Sequence, residues 1–179
     1  MLRSIRYVNV IRPADERETY AAWKVALKST ATPTALILSR QNLPLLENSS
    51  AVGVERGAYV VSYEKKKADI VIIATGSEVA LAIEAQQKLL EKRIDVRVVS
   101  MPSWEIFEKQ DVEYRRSVLL LPSERRVSVE MLSTFGWYKW AKYHMGIDTF
   151  GASAPAKDVI AKFDFTSDRL VRLCEDILK

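Results

Sequence analysis

Histidine and cysteine are almost missing: the chain has one of each, His144 and Cys174, in 179 residues. A single cysteine excludes an internal disulfide, and its setting in Leu170-Val171-Arg172-Leu173-Cys174 reads as a small core hydrophobe. So low a cysteine count fits a reducing cytosol. Long apolar runs are missing too. Nothing approaches the roughly 20 residues of a membrane span, and Met1-Leu2-Arg3-Ser4-Ile5-Arg6 is broken by charge before any signal-peptide stretch can form. The expected location is cytoplasmic, with no membrane contact. Charge of one sign is scarce as well. The formal net charge is +4, and the only basic clusters are Lys65-Lys66-Lys67, Arg115-Arg116 and Arg125-Arg126. A nucleic-acid binder concentrates such residues on one face or helix; these read as solvated loops and helix surfaces, so no nucleic-acid partner is expected.

What is present describes a folded protein. Hydrophobic residues make up 48% and charged residues 28%, which suits a soluble globular chain. A chain of this length can bury roughly 70% of its unfolded surface and build a core without staples. Three zones follow. In residues 1–43, Tyr7 to Ile11 is β-prone and Asp15 resembles an N-cap, with Glu16 and Glu18 in the first helical turn. The helix runs to about Lys28, with Tyr20, Trp23 and Leu27 at helical spacing, and Thr34 to Leu38 forms a second strand. That is one partial βαβ unit. Residues 44–67, with Pro44, Gly53 and Gly57 and a closing lysine run, read as an inter-domain linker holding one strand near 57–61. Residues 68–179 alternate strands and helices. Strands are expected over 69–74, 96–100 and 127–130, with helices over 79–92, 104–113, 114–118, 135–142, 155–162 and 166–178, the last capped by Thr166. The pattern predicts an α/β class protein: a three-layer α/β/α sandwich around a mostly parallel, five-stranded mixed sheet.

Several features invite chemistry. Leu38-Ser39-Arg40-Gln41-Asn42-Leu43-Pro44 follows a strand directly, and ligands of parallel α/β sheets gather at strand carboxyl ends. Arg40 there offers two parallel donors to a phosphate or carboxylate, or else pairs with a nearby acid or helix end; spacing does not choose. Thr75-Gly76-Ser77 before a helix could hold an anion on free N–H groups, but lacks the full dinucleotide glycine pattern and reads better as capping by Ser77 or Thr75. Trp104, Trp137, Tyr138 and Trp140 suit either an interface or a core.

The segments also carry a resemblance. Arg12-Pro13-Ala14-Asp15, Ala21-Ala22-Trp23-Lys24, Pro33 to Pro44, Ile73 to Val79, Val98 to Ser103 and Thr149 to Ala156 are similar, in the same order, to successive segments of transketolases. The similarity covers nearly the whole chain. It implies that residues 1–43 are the tail of a pyrimidine-binding domain and residues 68–179 the family's C-terminal domain. The implied parent activity is transfer of a two-carbon ketol unit between sugar phosphates in the pentose phosphate pathway, with thiamine diphosphate and Mg²⁺. In the family, the arginine of the Ser-Arg-Gln-Asn segment contacts the substrate phosphate, a position held here by Arg40. Related thiamine enzymes, such as a deoxyxylulose-phosphate synthase, fit the Ser-Arg-Gln-Asn-Leu-Pro run less well.

The resemblance also implies what this chain does not carry. The Gly-Asp-Gly and Asn signature for metal and diphosphate, the glutamate that activates the thiazolium and the substrate-facing histidines are all missing. His144 lies where the chain departs from the family pattern, in a shortened loop without a motif partner, and inherits no role. The expectation is therefore no catalytic, cofactor-binding or metal residue in this chain and no cofactor bound to it alone. Its expected partners are the remaining domains of a transketolase or a separate N-terminal subunit, in an enzyme whose complete form is a homodimer. A stand-alone assembly module, or the C-terminal subunit of a split thiamine-diphosphate enzyme, is the alternative.

Overall fold

The computed structural model describes residues 2–179, and after a 3-10 turn at Leu2–Ser4 the next three elements form the short βαβ unit. Strand β1 (Asn9–Ile11), helix α1 (Glu16–Lys28) and strand β2 (Thr34–Leu36) follow in order, and the two strands pair in parallel with Asn9 opposite Thr34 and Ile11 opposite Leu36. Asp15 caps α1 as expected, accepting from the Glu18 N–H at 2.9 Å. The helix faces the other way from the pattern, however. Glu18, Ala21 and Ala22 are buried, while Tyr20, Trp23 and Leu27 are 71%, 52% and 79% exposed. Small residues allow α1 to lie close on Val54, Ile106 and Ile11, and the larger apolar stripe is left facing solvent.

Residues 44–67, expected as a linker, contain two elements: helix α2 (Ala51–Glu55) and strand β3 (Tyr59–Ser62). Ser50 caps α2 by accepting from the Gly53 N–H at 3.1 Å. Tyr59 and Val61 alternate inward with period two, so β3 behaves as a half-buried edge strand. It pairs antiparallel with the sheet that follows. That sheet is built from β4 (Ile70–Ala74), β5 (Val96–Ser100), β6 (Arg126–Val129) and β7 (Tyr143–Met145), in the order β3-β5-β4-β6-β7. All pairs but β3–β5 are parallel. The expected five-stranded mixed sheet is present.

Every residue of β4 is buried, as its continuous apolar run predicts. Its side chains divide between two cores. Ile70, Ile72 and Ala74 pack with helices α3 (Glu78–Glu91) and α7 (Ser167–Leu178) through Ala82, Leu89 and Leu170. Val71 and Ile73 pack on the opposite face with Phe107 of α4 (Trp104–Glu108), Val118 of α5 (Val112–Leu119) and the Trp137–Ala141 segment. Helix α6 (Ala156–Lys162) precedes α7. Helices thus cover both faces, giving the three layers. Each fully buried Ile or Val contributes about 1.5–3 kcal/mol.

Three local expectations change. The boundary between the helices expected over 104–113 and 114–118 lies earlier, at 109–111, because Asp111 starts the second by accepting from the Tyr114 N–H at 2.6 Å. The helix over 135–142 is one 3-10 turn, Trp137–Lys139. Gly136 before it has φ of 86°, and Trp137, Trp140 and Ala141 are drawn into the core. The chain then pairs beside β6 as β7, an element the sequence pattern did not reveal, because three residues are too few for a period. At the end of the chain Thr166 caps α7 as expected, accepting from the Arg169 N–H at 3.2 Å.

Cys174 sits in the α3–α7 core with no exposure, and burial pushes its thiol up to about 12. It is expected to resist a disulfide-exchange reagent at neutral pH in the native chain and to react fully in denaturant. Rapid stoichiometric labelling of the native protein would contradict this packing.

Candidate functional site

The carboxyl ends of β4 and β6 adjoin at the point where the chain, after adding β5 on one side of β4, crosses to the other. Such a switch point is the usual ligand crevice of an open α/β sheet. Here it is filled from within. The Arg12 side chain, entering from the end of β1, donates to the Thr75 carbonyl at 2.8 Å and forms an ion pair with Glu78. Its guanidinium also lies 3.8 Å from Glu130, just past β6. Arg3 clasps Glu130 with two bonds of 2.6 and 2.8 Å, and the Trp137 indole N–H donates to the same carboxylate at 2.8 Å. Burial acts to lower the Arg12 pKa, but Glu78 and Glu130 outweigh it and hold the guanidinium above its ordinary value.

The Thr75-Gly76-Ser77 turn belongs to this cluster and is not an open anion cradle. Gly76 donates its N–H to the Arg12 carbonyl at 3.2 Å, and the Thr75 hydroxyl donates to the same oxygen at 3.1 Å. Gly76 has φ of 60°, and a Cβ there would stand 2.7 Å from the Arg12 Cζ, so only glycine admits the guanidinium. Neither expected cap forms: Ser77 makes no side-chain capping bond, because its hydroxyl turns to Glu78.

A second polar cluster lies where α1 meets the sheet. Glu18 is fully buried and accepts from the Ala14 N–H at 2.7 Å, the Tyr59 hydroxyl at 2.8 Å and the Ser100 hydroxyl at 2.6 Å. Burial pushes its carboxyl above the usual range, and the three donors only partly hold it down. Asp15 beside it uses both oxygens: one caps α1 and the other accepts from the Leu46 N–H at 3.0 Å.

Arg40 lies on the loop between β2 and α2. Ser39, Arg40 and Gln41 are exposed, and among the described residues no hydrogen bond or ion pair engages the Arg40 side chain. Of the two roles left open by spacing, pairing with a nearby acid is not the one adopted. A cleft of about 430 Å³ separates this loop from the start of α1, with Asp15, Glu16 and Thr19 on one wall and Ser39, Gln41 and Asn42 on the other. His144 is far from this arrangement in sequence and in the sheet. It sits on β7, with Nδ1 2.8 Å from the Ser128 hydroxyl, and burial lowers its pKa.

The buried carboxylates of the two clusters are already engaged. Glu78 and Glu130 face arginines, Glu18 faces hydroxyls, and among the described residues no group of three or more His, Cys, Asp or Glu is placed to hold a metal ion. These residues do not fit a metal-bound diphosphate. Sequence reasoning passed over Arg12, Glu78, Glu130 and Glu18 as functional candidates. The available signals were the Asp15-x-x-Glu18 spacing of a capping-box pattern and an acid directly after the β6 strand.

Because the Glu18 pKa is raised in the folded chain, its contribution to stability is fully present below the ordinary carboxylate range. It is lost as pH rises from there through the folded pKa. Glu18→Gln removes this titration. The loss of unfolding free energy caused by Glu18→Gln is therefore expected to be greater near pH 4 than near pH 8, in urea titrations at both pH values. A difference that grows with pH would show the opposite shift.

Comparison with known proteins matches two segments of the chain. A family model described as the transketolase pyrimidine binding domain matches residues 1–45, and one described as the transketolase-like C-terminal domain matches residues 57–166. The Bacillus subtilis transketolase is 50% identical over 177 residues, which cover 95% of this chain and 26% of that protein. A probable transketolase of Streptococcus pneumoniae is 46% identical over 98% of this chain and 27% of its own length. Among solved structures, Leishmania mexicana transketolase superposes with a TM-score of 0.92 at 46% identity, over 99% of this chain and 26% of that one. A Pichia stipitis transketolase mutant in complex with fructose-6-phosphate gives 0.93 at 42% identity, with the same coverage. A split-gene transketolase described as an inactive beta4 tetramer shares the fold, with a TM-score of 0.79 at 23% identity over 99% of this chain and 60% of its own. The chain thus spans about a quarter of the length of the curated relatives it matches. With the C-terminal model alone matching more than half of its residues, the chain belongs to the transketolase family, as a C-terminal portion.

Proposed function

We propose that this chain supplies the C-terminal domain and one substrate-phosphate anchor, Arg40, to an enzyme that transfers a two-carbon ketol unit between sugar phosphates. The observation that carries the proposal is the unpaired, exposed Arg40 on a loop following a parallel strand, within a match that runs through two transketolase domains in order. The Pichia stipitis relative is described in complex with fructose-6-phosphate, a sugar phosphate. A free guanidinium presents parallel donors to a phosphate dianion, a contact of about 1.5–3 kcal/mol. Arg40 binds and orients; it makes no bond in the reaction.

Thiamine diphosphate and Mg²⁺ belong, in this reading, to the complete enzyme and are held by residues outside this chain, where they supply the carbanion chemistry. Residues 1–43 then act as the tail of the pyrimidine-binding domain, residues 44–67 as the connection and residues 68–179 as the C-terminal domain. The enzyme works in the cytoplasm as a homodimer.

A companion is also favoured by the surface. Tyr20, Trp23 and Leu27 expose one apolar stripe along α1, and β1 and β2 form a sheet of only two strands. Two strands alone are marginal in water. The companion is the rest of a transketolase, in the same polypeptide or as a separate N-terminal subunit. The chain alone then acts in assembly without turnover. Mixing it with the upstream region should restore ketol transfer, and turnover by the chain alone with thiamine diphosphate would refute the assembly reading.

In the complete enzyme, Arg40→Ala is expected to raise KM for fructose-6-phosphate about 10- to 100-fold while an unphosphorylated ketol donor is little affected. Steady-state kinetics with both donors decides the point. Equal losses would exclude a phosphate contact.

A further inference from the structure

An arginine on a ten-residue exposed loop is a poor anchor unless the loop is held, because each freely rotating residue must be ordered when substrate binds. The loop that carries Arg40 is held at both ends by one short stretch of chain. At its start, the Ile37 N–H donates to the Ile11 carbonyl at 2.9 Å, continuing the β1–β2 ladder one residue beyond β2. At its end, the Leu46 N–H donates to the Asp15 carboxylate at 3.0 Å in a buried bond. Arg17 adds a bond of 3.1 Å to the Glu47 carbonyl. Inside the loop, the Ser39 hydroxyl accepts from the Gln41 N–H at 3.0 Å, which folds the chain tightly about Arg40.

Asp15 is the joint of this arrangement. Its second oxygen accepts from the Glu18 N–H, so the carboxylate that closes the loop also starts α1. Through Glu18 it is tied to Tyr59 of β3 and Ser100 of β5. The loop end is thereby referred to the main sheet. We infer that Asp15 is a positioning residue for Arg40: its two-oxygen bridge between the α1 N-terminus and Leu46 sets where the guanidinium meets the phosphate of a sugar-phosphate substrate. This rests on the reading of Arg40 as the phosphate anchor.

The discriminating variant is Asp15→Asn. Asparagine caps a helix about as well as aspartate, but its amide has one oxygen where the carboxylate has two, so the Glu18 and Leu46 donors lose one of their separate acceptors. In the chain itself, exchange of the Leu46 amide, which is bonded to Asp15, is expected to quicken about tenfold, with exchange in β4 unchanged. In the complete enzyme, KM for fructose-6-phosphate should rise about three- to tenfold, with kcat held and an unphosphorylated ketol donor little affected. In an Arg40→Ala background the same substitution should have no further effect on KM, because there is no guanidinium left to place. Asp15→Ser, which keeps a cap but cannot reach Leu46 with a second oxygen, serves the same test if the asparagine variant does not fold.

Several outcomes overturn the inference. One is a silent Asp15→Asn beside a selective Arg40→Ala, which leaves the phosphate reading standing. Another is an Asp15→Asn effect that is equal for both donors or that persists without Arg40, which makes Asp15 a general fold residue. Equal losses for both donors from Arg40→Ala alone sink the phosphate reading and this inference together.

Discussion

The Arg12 guanidinium holds the two halves of this chain in one arrangement. It leaves β1, crosses to the carboxyl edge of the main sheet and takes the place that a ligand occupies in many open α/β sheets. Arg12 is 13% exposed and its partners Glu78 and Glu130 are 2% and 1% exposed. Bringing such charges together from water gives little net stability, but leaving one of them alone costs about 3–5 kcal/mol. The cluster therefore acts by exclusion. With Arg3 and Arg12 facing Glu130 and Glu78, the charges balance, and any shift of the βαβ unit relative to the sheet would strand a buried carboxylate. Gly76 completes the fit, since no other residue leaves room for the guanidinium plane.

The Glu18 cluster repeats this logic a short distance away without a cation. A buried carboxylate takes three neutral donors, two of them side chains from β3 and β5. The raised pKa of Glu18 shows that the donors do not fully offset desolvation. What the arrangement provides is direction: Tyr59 and Ser100 point at one oxygen from different strands, so α1 can dock at one angle only. Two polar clusters on either side of the βαβ unit then explain why a segment with so small an apolar core of its own is ordered. Ile11, Ala21 and Ala22 bury only against Val54 and Ile106, and the polar latches set the position that this modest contact could not fix.

Much of the fold was legible in the residues. The continuous apolar run of β4, the caps at Asp15 and Thr166 and the alternation of strands and helices led directly to a three-layer sandwich. Where the reading failed, distance along the chain was the cause. Tyr20, Trp23 and Leu27 have the spacing of a buried face, yet burial was decided by Ala21 and Ala22, whose small size lets α2 approach. The β3 strand looked like part of a connection because its pairing partner, β5, lies some forty residues on and runs antiparallel. Arg40 was visible because a local motif carries it. Arg12, Glu78 and Glu130 were not, because the long stretches of chain between them, 66 positions from Arg12 to Glu78, give no sign that they meet.

These two kinds of residue also divide the chemistry. Glu78 and Glu130 at the carboxyl edge of the sheet are engaged by arginines and hold the chain together. Arg12 and Arg3 are equally committed. Arg40 stands exposed, with no hydrogen bond or ion pair to its side chain among the described residues, on a loop whose two ends are tied to Ile11 and Asp15. The same latch that removes charge from the interior thus leaves one cation outside, with its anchorage running back through Asp15 and Glu18 to the sheet. A chain so arranged leaves the Arg40 guanidinium open to an anion, which is the geometry that the proposed role of phosphate anchor requires.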